Sequence, residues 1–284
     1  MSQYRLVCSG GLAFLAAVLF PLSQCFADTD PAEHPVVEIA TGDWQPYVDA
    51  SLPDFGPMGH IIKLAFARAG YDVKFNVYPW TRNAQFVATG EQDAMMPYYC
   101  SDARARKYLC SLPIVDGEQV FFYRRGDQFD WDSMADLQGY TIGATLGYFY
   151  GQPFERAEKA GEITVKRIAE DAGNVRLLAH GRIDLYPQDR AVGYGMIRAV
   201  LPKDQWGSIT HDPHPLHRKS LHLLFSRKTG RGDELMAQFN TQLQAMRESG
   251  ELDNLLEPIY EDQRAVHRAH SAAVHDDEAS GVAE

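Results

Sequence analysis

The chain predicts an α/β fold in two halves, and three observations carry that reading. Apolar strand patterns alternate with amphipathic helices once before Gly126 and again after it. The turns between them are short and glycine-ended, as parallel strand–helix units require. Two further apolar runs, near Asp116–Arg125 and Arg218–Phe225, are placed to cross from one half to the other and back.

Val36–Ala40 reads as a buried strand ended by Thr41-Gly42-Asp43, with Trp44-Gln45-Pro46-Tyr47 as a loop. Gly59–Ala69 carries Ile61, Ile62, Leu64, Ala65 and Phe66 at helical spacing, and Gly70 stops it. Val73, Phe75 and Val77 alternate as a strand, Thr81–Thr89 is a helix closed by Gly90, and Ala94–Met96 is a third strand. Val120–Tyr123 is a strand in the first crossing. Beyond Gly126, a helix is expected at Trp131–Leu137 and a strand at Thr141–Ala144. A glycine-rich turn from Gly143 to Gly147 then leads into a helix past Gly151. Strands at Ile163–Ile168 and Ile183–Tyr186 alternate with helices at Asp171–His180 and Arg190–Val200. Leu221–Phe225 is the return strand. Gly232–Arg247 places Leu235, Met236, Phe239, Leu243 and Met246 on one face. Two halves joined by two strands leave a cleft, and clefts beyond the carboxyl ends of parallel strands are where such layers bind small molecules.

Residues 1–27 have a basic start at Arg5, an apolar run from Leu6 to Phe20 and a polar end at Cys25-Phe26-Ala27. That is the layout of a secretory signal peptide, too short in its apolar part for a spanning helix. Leu22-Ser23-Gln24-Cys25 also resembles a lipoprotein box, though Gln24 is bulky there, so cleavage at Ala27 is preferred over lipidation at Cys25. Cleavage leaves Cys100 and Cys110 as the remaining cysteines, and in an oxidising compartment such a pair favours one disulfide.

Formal charge is −11, and −12 once Arg5, the leader's one charged residue, is gone. This argues against nucleic acid and against an anionic membrane surface as partners. His211, His214, His217 and His222 suggest a metal cluster at first sight. Pro213 and Pro215 break any helix that would bring them to one face, so structural or surface roles are expected. No cofactor is expected. Beyond Tyr260 large apolar residues almost vanish, and 261–284 reads as a disordered tail.

The stretch from Gly90 to Ile114 says most about function. Its two cysteines bracket Arg104, Arg106 and Lys107. An arginine on a stapled turn at a strand end is well placed to meet a carboxylate as a rigid bidentate donor. Arg106 and Lys107 read as solvated surface charges.

Over roughly Val36–Tyr260 the chain resembles the bacterial extracellular solute-binding proteins of family 3, periplasmic proteins for polar amino acids. The marks are Asp43 with Trp44-Gln45-Pro46-Tyr47, Gly59, Gly90-Glu-Gln-Asp93-Ala94, Ser101-Asp-Ala-Arg104, and Ser111-Leu-Pro113. In the second half they are Leu137, Gly139, Gly143 and Gly147, then Gly181-Arg-Ile-Asp184 and Gln188-Asp189. Their order and spacing carry the signal. The resemblance implies a two-lobed, type II periplasmic-binding fold, with lobe 1 from 28–120 plus 221–260 and lobe 2 from 121–220. It implies that Arg104 binds a ligand carboxylate, that Asp189 binds an ammonium, that Trp44 packs on the ligand, and that Ser101 is the hydroxyl opening the turn.

Each residue has a plainer alternative. Arg104 could sit in a surface ion pair, and Asp189 could cap the helix from Arg190. Trp44 is expected on the cleft wall, where Tyr47, Asp43 and Tyr148 are also candidates. Trp80 is a core residue or a ligand platform, and Arg82 a cation at the cleft mouth or a partner for a nearby acid. Ala103 and Tyr148 depart from the family pattern, which has Glu and often Thr there, and leave the ligand open. The expected function is capture of a polar amino acid or similar small zwitterion by hinge closure and delivery to an inner-membrane ABC permease, by a monomer and without chemistry. The rivals are an enzyme on the same scaffold, such as a cyclohexadienyl dehydratase using Asp43, Glu118 or His60 as general acid, and a sensor or accessory protein.

Overall fold

The structure, a computed structural model, describes residues 34–260. The expected leader at 1–27, Cys25 and the tail at 261–284 lie outside those residues.

The first half opens with β1 (Val36–Thr41), α1 (Gly56–Arg68), β2 (Asp72–Val77), α2 (Trp80–Thr89) and β3 (Ala94–Tyr99). β1 is the parallel centre between β2 and β3, with Ile39 opposite both Phe75 and Ala94. Its inward side chains Val37 and Ile39 are fully buried against Ile61, Ile62 and Phe66 of α1. α3 (Asp102–Lys107) and β4 (Tyr108–Cys110) follow. The first crossing strand is β5 (Val115–Arg124).

The second half holds β6 (Thr141–Thr145), α4 (Gln152–Ala160), β7 (Thr164–Ile168), α5 (Asp171–Ala179), β8 (Tyr186–Asp189), α6 (Arg190–Val200) and β9 (Ile209–His211). β10 (His217–Ser226) returns to the first half, and α7 (Gly232–Glu248) packs Leu235, Phe239, Leu243 and Met246, all fully buried, onto its core. Residues 251–260 are helical and add Leu252, Leu256 and Ile259 to the same core, an element the sequence reading lacked.

One sheet runs β2-β1-β3-β10-β5-β8 through both halves, with β4 on β10 and β9 on β5. The two long strands pair antiparallel, Val115 opposite Leu221 and Gln119 opposite His217. β6 and β7 form a separate parallel pair that meets the rest at Ile142 and Leu185.

Several boundaries differ from expectation. β3 continues through Pro97 to Tyr99, where it had been expected to stop at Met96. Pro97 lacks an N–H, and β10 bulges opposite it between His222 and Leu224, so the ladder does not need that donor. β8 begins at Tyr186 and ends at Asp189, three residues later than the apolar run suggested; Asp184 instead accepts the Thr141 N–H at 2.8 Å. The expected helix at Trp131–Leu137 is a 3-10 turn at Met134–Leu137, closed by a Ser133–Asp136 capping box.

Candidate functional site

The site begins where β1 ends. Gly42 lies under the Trp80 indole so closely that a Cβ there would stand 2.9 Å from the ring. The loop beyond it is held by the Trp44 N–H on the Val48 carbonyl at 2.9 Å. Trp44 is buried and stacks on the fully buried Tyr47 ring at 4.9 Å.

The end of β3 supplies the cation. Ser101 caps α3 by accepting the Arg104 N–H at 3.3 Å. The Arg104 guanidinium donates to the Tyr99 carbonyl at 2.9 Å and, across to the other half, to the Gly147 carbonyl at 2.8 Å. It also lies 4.9 Å from the centre of the Tyr98 ring. Burial lowers its pKa from the usual arginine value. The Sγ atoms of Cys100 and Cys110 lie 1.87 Å apart, at the two ends of the segment that carries it.

The second half supplies Tyr148. Its ring stands edge-on to Trp44 at 6.4 Å and to Trp80 at 5.9 Å, so one aromatic side chain wedges between two from the opposite half. Its hydroxyl donates to Asp171 at 2.6 Å. Asp171 also accepts from Thr145 Oγ1, Tyr186 O–H and Gln188 Nε2, at 2.6, 2.7 and 3.0 Å. Burial raises the Asp171 carboxyl above its usual range, against the pull of those four donors.

Between the halves lies a cavity of about 30 Å³. Four expected residues meet there: Trp44, Trp80, Arg104 and Tyr148. Sequence reasoning did not single out Tyr98, Tyr99, Gln119 and Phe149, which line it too. Three buried polar atoms on its wall have no protein hydrogen-bond partner: Trp44 Nε1, the Tyr99 hydroxyl and Gln119 Oε1. Buried polar groups are normally paired, and these three are left open by the protein. A partial signal for the missed residues was present. Tyr98 and Tyr99 directly precede Cys100, and Gln119 is the polar interruption of an apolar crossing strand.

The other expected residues stand elsewhere. Asp189 ends β8 and caps α6, with Oδ1 accepting from the Ala191 and Val192 N–H groups at 3.0 and 3.3 Å. Its Oδ2 accepts the Tyr47 hydroxyl at 3.1 Å and the Glu118 N–H at 3.2 Å. Asp189 also borders a groove shared with Asp116, Glu118, Arg190 and Arg218. Burial pushes its pKa up to about 6. Asp43 is exposed and accepts the Ala50 N–H at 3.0 Å; Arg82 is exposed. The three acid–base candidates are also spread apart. His60 pairs with Asp54 at 3.0 Å on the surface, and Glu118 pairs with Arg190 and Arg218.

Each of the four histidines has its own packing. His211 meets the Tyr194 hydroxyl, His214 stacks on Trp131, His217 stands edge-on to Tyr99, and His222 meets the Ser111 carbonyl. Among the described residues no group of three or more His, Cys, Asp or Glu side chains is placed to hold a metal. No helix among them is long and apolar enough to cross a membrane.

This architecture is shared with known proteins. An ancestral arginine-binding protein, solved with arginine bound, superposes with a TM-score of 0.68 at 18% identity, over 79% of this chain and 98% of that one. A Bacillus subtilis protein named "Probable amino-acid-binding protein YxeM" is 26% identical over 172 residues, 60% of this chain and 62% of its own. A Vibrio harveyi protein named as an amino-acid ABC transporter-binding protein, PatH, is 29% identical over 157 residues, 55% of this chain and 59% of its own. The matched region thus spans about three fifths of the length of these curated relatives. The sequence profile of the bacterial extracellular solute-binding proteins, family 3, matches residues 54–261, most of the chain, and the protein belongs to that family.

Proposed function

We propose that this protein captures a small, amino-acid-like carboxylate in the cavity between its halves and presents it to an inner-membrane ABC permease. One observation carries the reading. A guanidinium, Arg104, stands in a buried aromatic cavity beside three polar atoms that no protein group satisfies. The ligand carboxylate takes the place of the Gly147 carbonyl on Arg104, exchanging a neutral acceptor for an anionic one, which binds roughly twice as strongly. Trp44 and Trp80 flank the rest of the solute. The crossing strands β5 and β10 are the hinge, and closure is the functional step. Among the described residues, lobe 1 comprises 34–120 and 221–260 and lobe 2 comprises 121–220, and the Cys100–Cys110 bond forms after export to the periplasm. The working unit is a monomer.

The non-catalytic reading is supported by the position of the acids. Asp43, Glu118 and His60, the groups a dehydratase would recruit, are all absent from the cavity wall. Thermal-shift screening of the exported protein against amino acids, hydroxy acids, amines and small acids tests the proposal. A ligand at one hundred times its Kd adds about 2.7 kcal/mol to stability. No stabilisation by any carboxylate, or steady turnover of prephenate to phenylpyruvate, would end it.

A further inference from the structure

One side chain of the second half fills the room that the rest of the site leaves for a ligand. The open polar groups of the cavity suffice for an amino-acid head group. The Arg104 guanidinium and the Trp44 indole N–H can donate to a carboxylate, and the Tyr99 hydroxyl and Gln119 Oε1 can accept from an ammonium. On the proposed reading, the ligand side chain would lie between the indoles of Trp44 and Trp80, and the Tyr148 ring stands there. It meets the two indoles edge-on, at 84° and 79°, with centroids 6.4 and 5.9 Å away. Those are contact distances for edge-to-face rings, so no side chain passes between them. The cavity that is left, about 30 Å³, holds about two water molecules.

The ring cannot swing aside by itself, because the second half holds Tyr148 at both ends. Its hydroxyl donates to Asp171 at 2.6 Å, and that buried carboxylate is fixed by three further donors, Thr145, Tyr186 and Gln188. Its N–H donates to the Thr145 carbonyl at 3.2 Å, closing a turn. Its carbonyl accepts from the Arg167 guanidinium at 3.1 Å, and Glu155 and Glu158 hold that guanidinium in turn. Gly147, before it, abuts the first half: a Cβ there would stand 3.2 Å from Thr81 Cγ2. Tyr148 therefore moves with the second half as a whole. A long ligand side chain must hold the halves apart, and the Tyr47–Asp189 hydrogen bond across them, 3.1 Å here, is then lost.

We infer that Tyr148 is the specificity-determining residue of the site, and that it limits the ligand to an amino acid whose side chain is no larger than a methyl group. The inference rests on the solute-binding reading above and deepens it. An apolar cavity without such a wedge would do the opposite, since each buried methylene ordinarily strengthens binding about fourfold.

Calorimetric titration of the exported protein with glycine, alanine, norvaline and norleucine tests it. Glycine and alanine are expected to bind at least about tenfold more tightly than norvaline and norleucine, the scale of forcing extra methylenes into a filled space. Tyr148→Ala clears the space between the indoles, and there norvaline and norleucine should gain about tenfold or more relative to alanine. Affinity that rises with each methylene in the wild type overturns the inference and leaves the solute-binding reading standing. The wild-type order persisting in Tyr148→Ala overturns the assignment to Tyr148. The wild-type series alone can overturn the inference, whether or not Tyr148→Ala folds. Failure of the whole series to bind also overturns it, and failure of every other carboxylate as well overturns the solute-binding reading too.

Discussion

Arg104→Ala separates a ligand anchor from a surface charge. On the proposed reading the side chain has two jobs that the substitution removes together. In the protein itself it donates to the Tyr99 and Gly147 carbonyls and lies over the Tyr98 ring. A hydrogen bond from a charged group contributes about 1.5–3 kcal/mol and a cation over an aromatic face about 0.5–2 kcal/mol. Arg104 is partly exposed and solvent competes for it, so the low ends apply, and the loss of stability is expected at about 2–4 kcal/mol. Binding loses more. An unpaired carboxylate left in a buried site costs about 3–5 kcal/mol, or roughly two to four decades in Kd. Arg106→Ala, two residues along on the exposed face of α3, should move both quantities by less than about 0.5 kcal/mol. Arg104→Lys keeps the charge and loses the fork, so it should recover part of the stability and little of the affinity. Urea unfolding gives the first quantity and calorimetric titration the second. Equal small losses for Arg104→Ala and Arg106→Ala would refute the anchor.

Three further outcomes follow from the same geometry. Protein taken from the periplasm should show no titratable thiol from Cys100 or Cys110 under denaturing, non-reducing conditions, and the double Ser variant should lose roughly 2–3 kcal/mol by the chain-entropy model; two free thiols would contradict it. Asp189 has a carboxyl pKa raised from an ordinary value near 4 to about 6, so the folded state holds its proton in that window and the unfolded chain does not. Its contribution is full below about pH 4 and falls away as pH rises through 6, by up to about 3 kcal/mol. The stability difference between wild type and Asp189→Asn should therefore shift against wild type from pH 4 to 6.5, and a flat difference would refute the shift. Gly42→Ala should weaken ligand binding by about tenfold or more with a modest stability loss, since its Cβ displaces the Trp80 indole; unchanged binding would show that Trp80 is no wall of the site.

Much of the frame can be read from the chain, because a helix face or strand alternation is a local property. Leu235, Phe239, Leu243 and Met246 recur at helical spacing and are all fully buried. The crossing strands were also visible as apolar runs. Their registers were not, and the site depends on those. Gln119 faces the cavity because β5 pairs with both β10 and β8, bringing His217, Gln119 and Asp189 abreast across three strands. No spacing in the sequence encodes that row. Tyr99 belongs to the site only because β3 runs on past Pro97, which depends on a bulge in a strand more than a hundred residues away.

Asp189 shows the same limit from the other side. Its position before Arg190–Val200 was equally compatible with a helix cap and with a ligand contact, and a carboxylate can do both while lone pairs remain. What decides between them is the number of donors already present. Two of these are helix N–H groups, predictable from the cap. The other two, the Glu118 N–H and the Tyr47 hydroxyl, come from residues 71 and 142 positions away in the chain. The chemistry left to a buried acid is therefore set by tertiary partners whose identity no local pattern reveals.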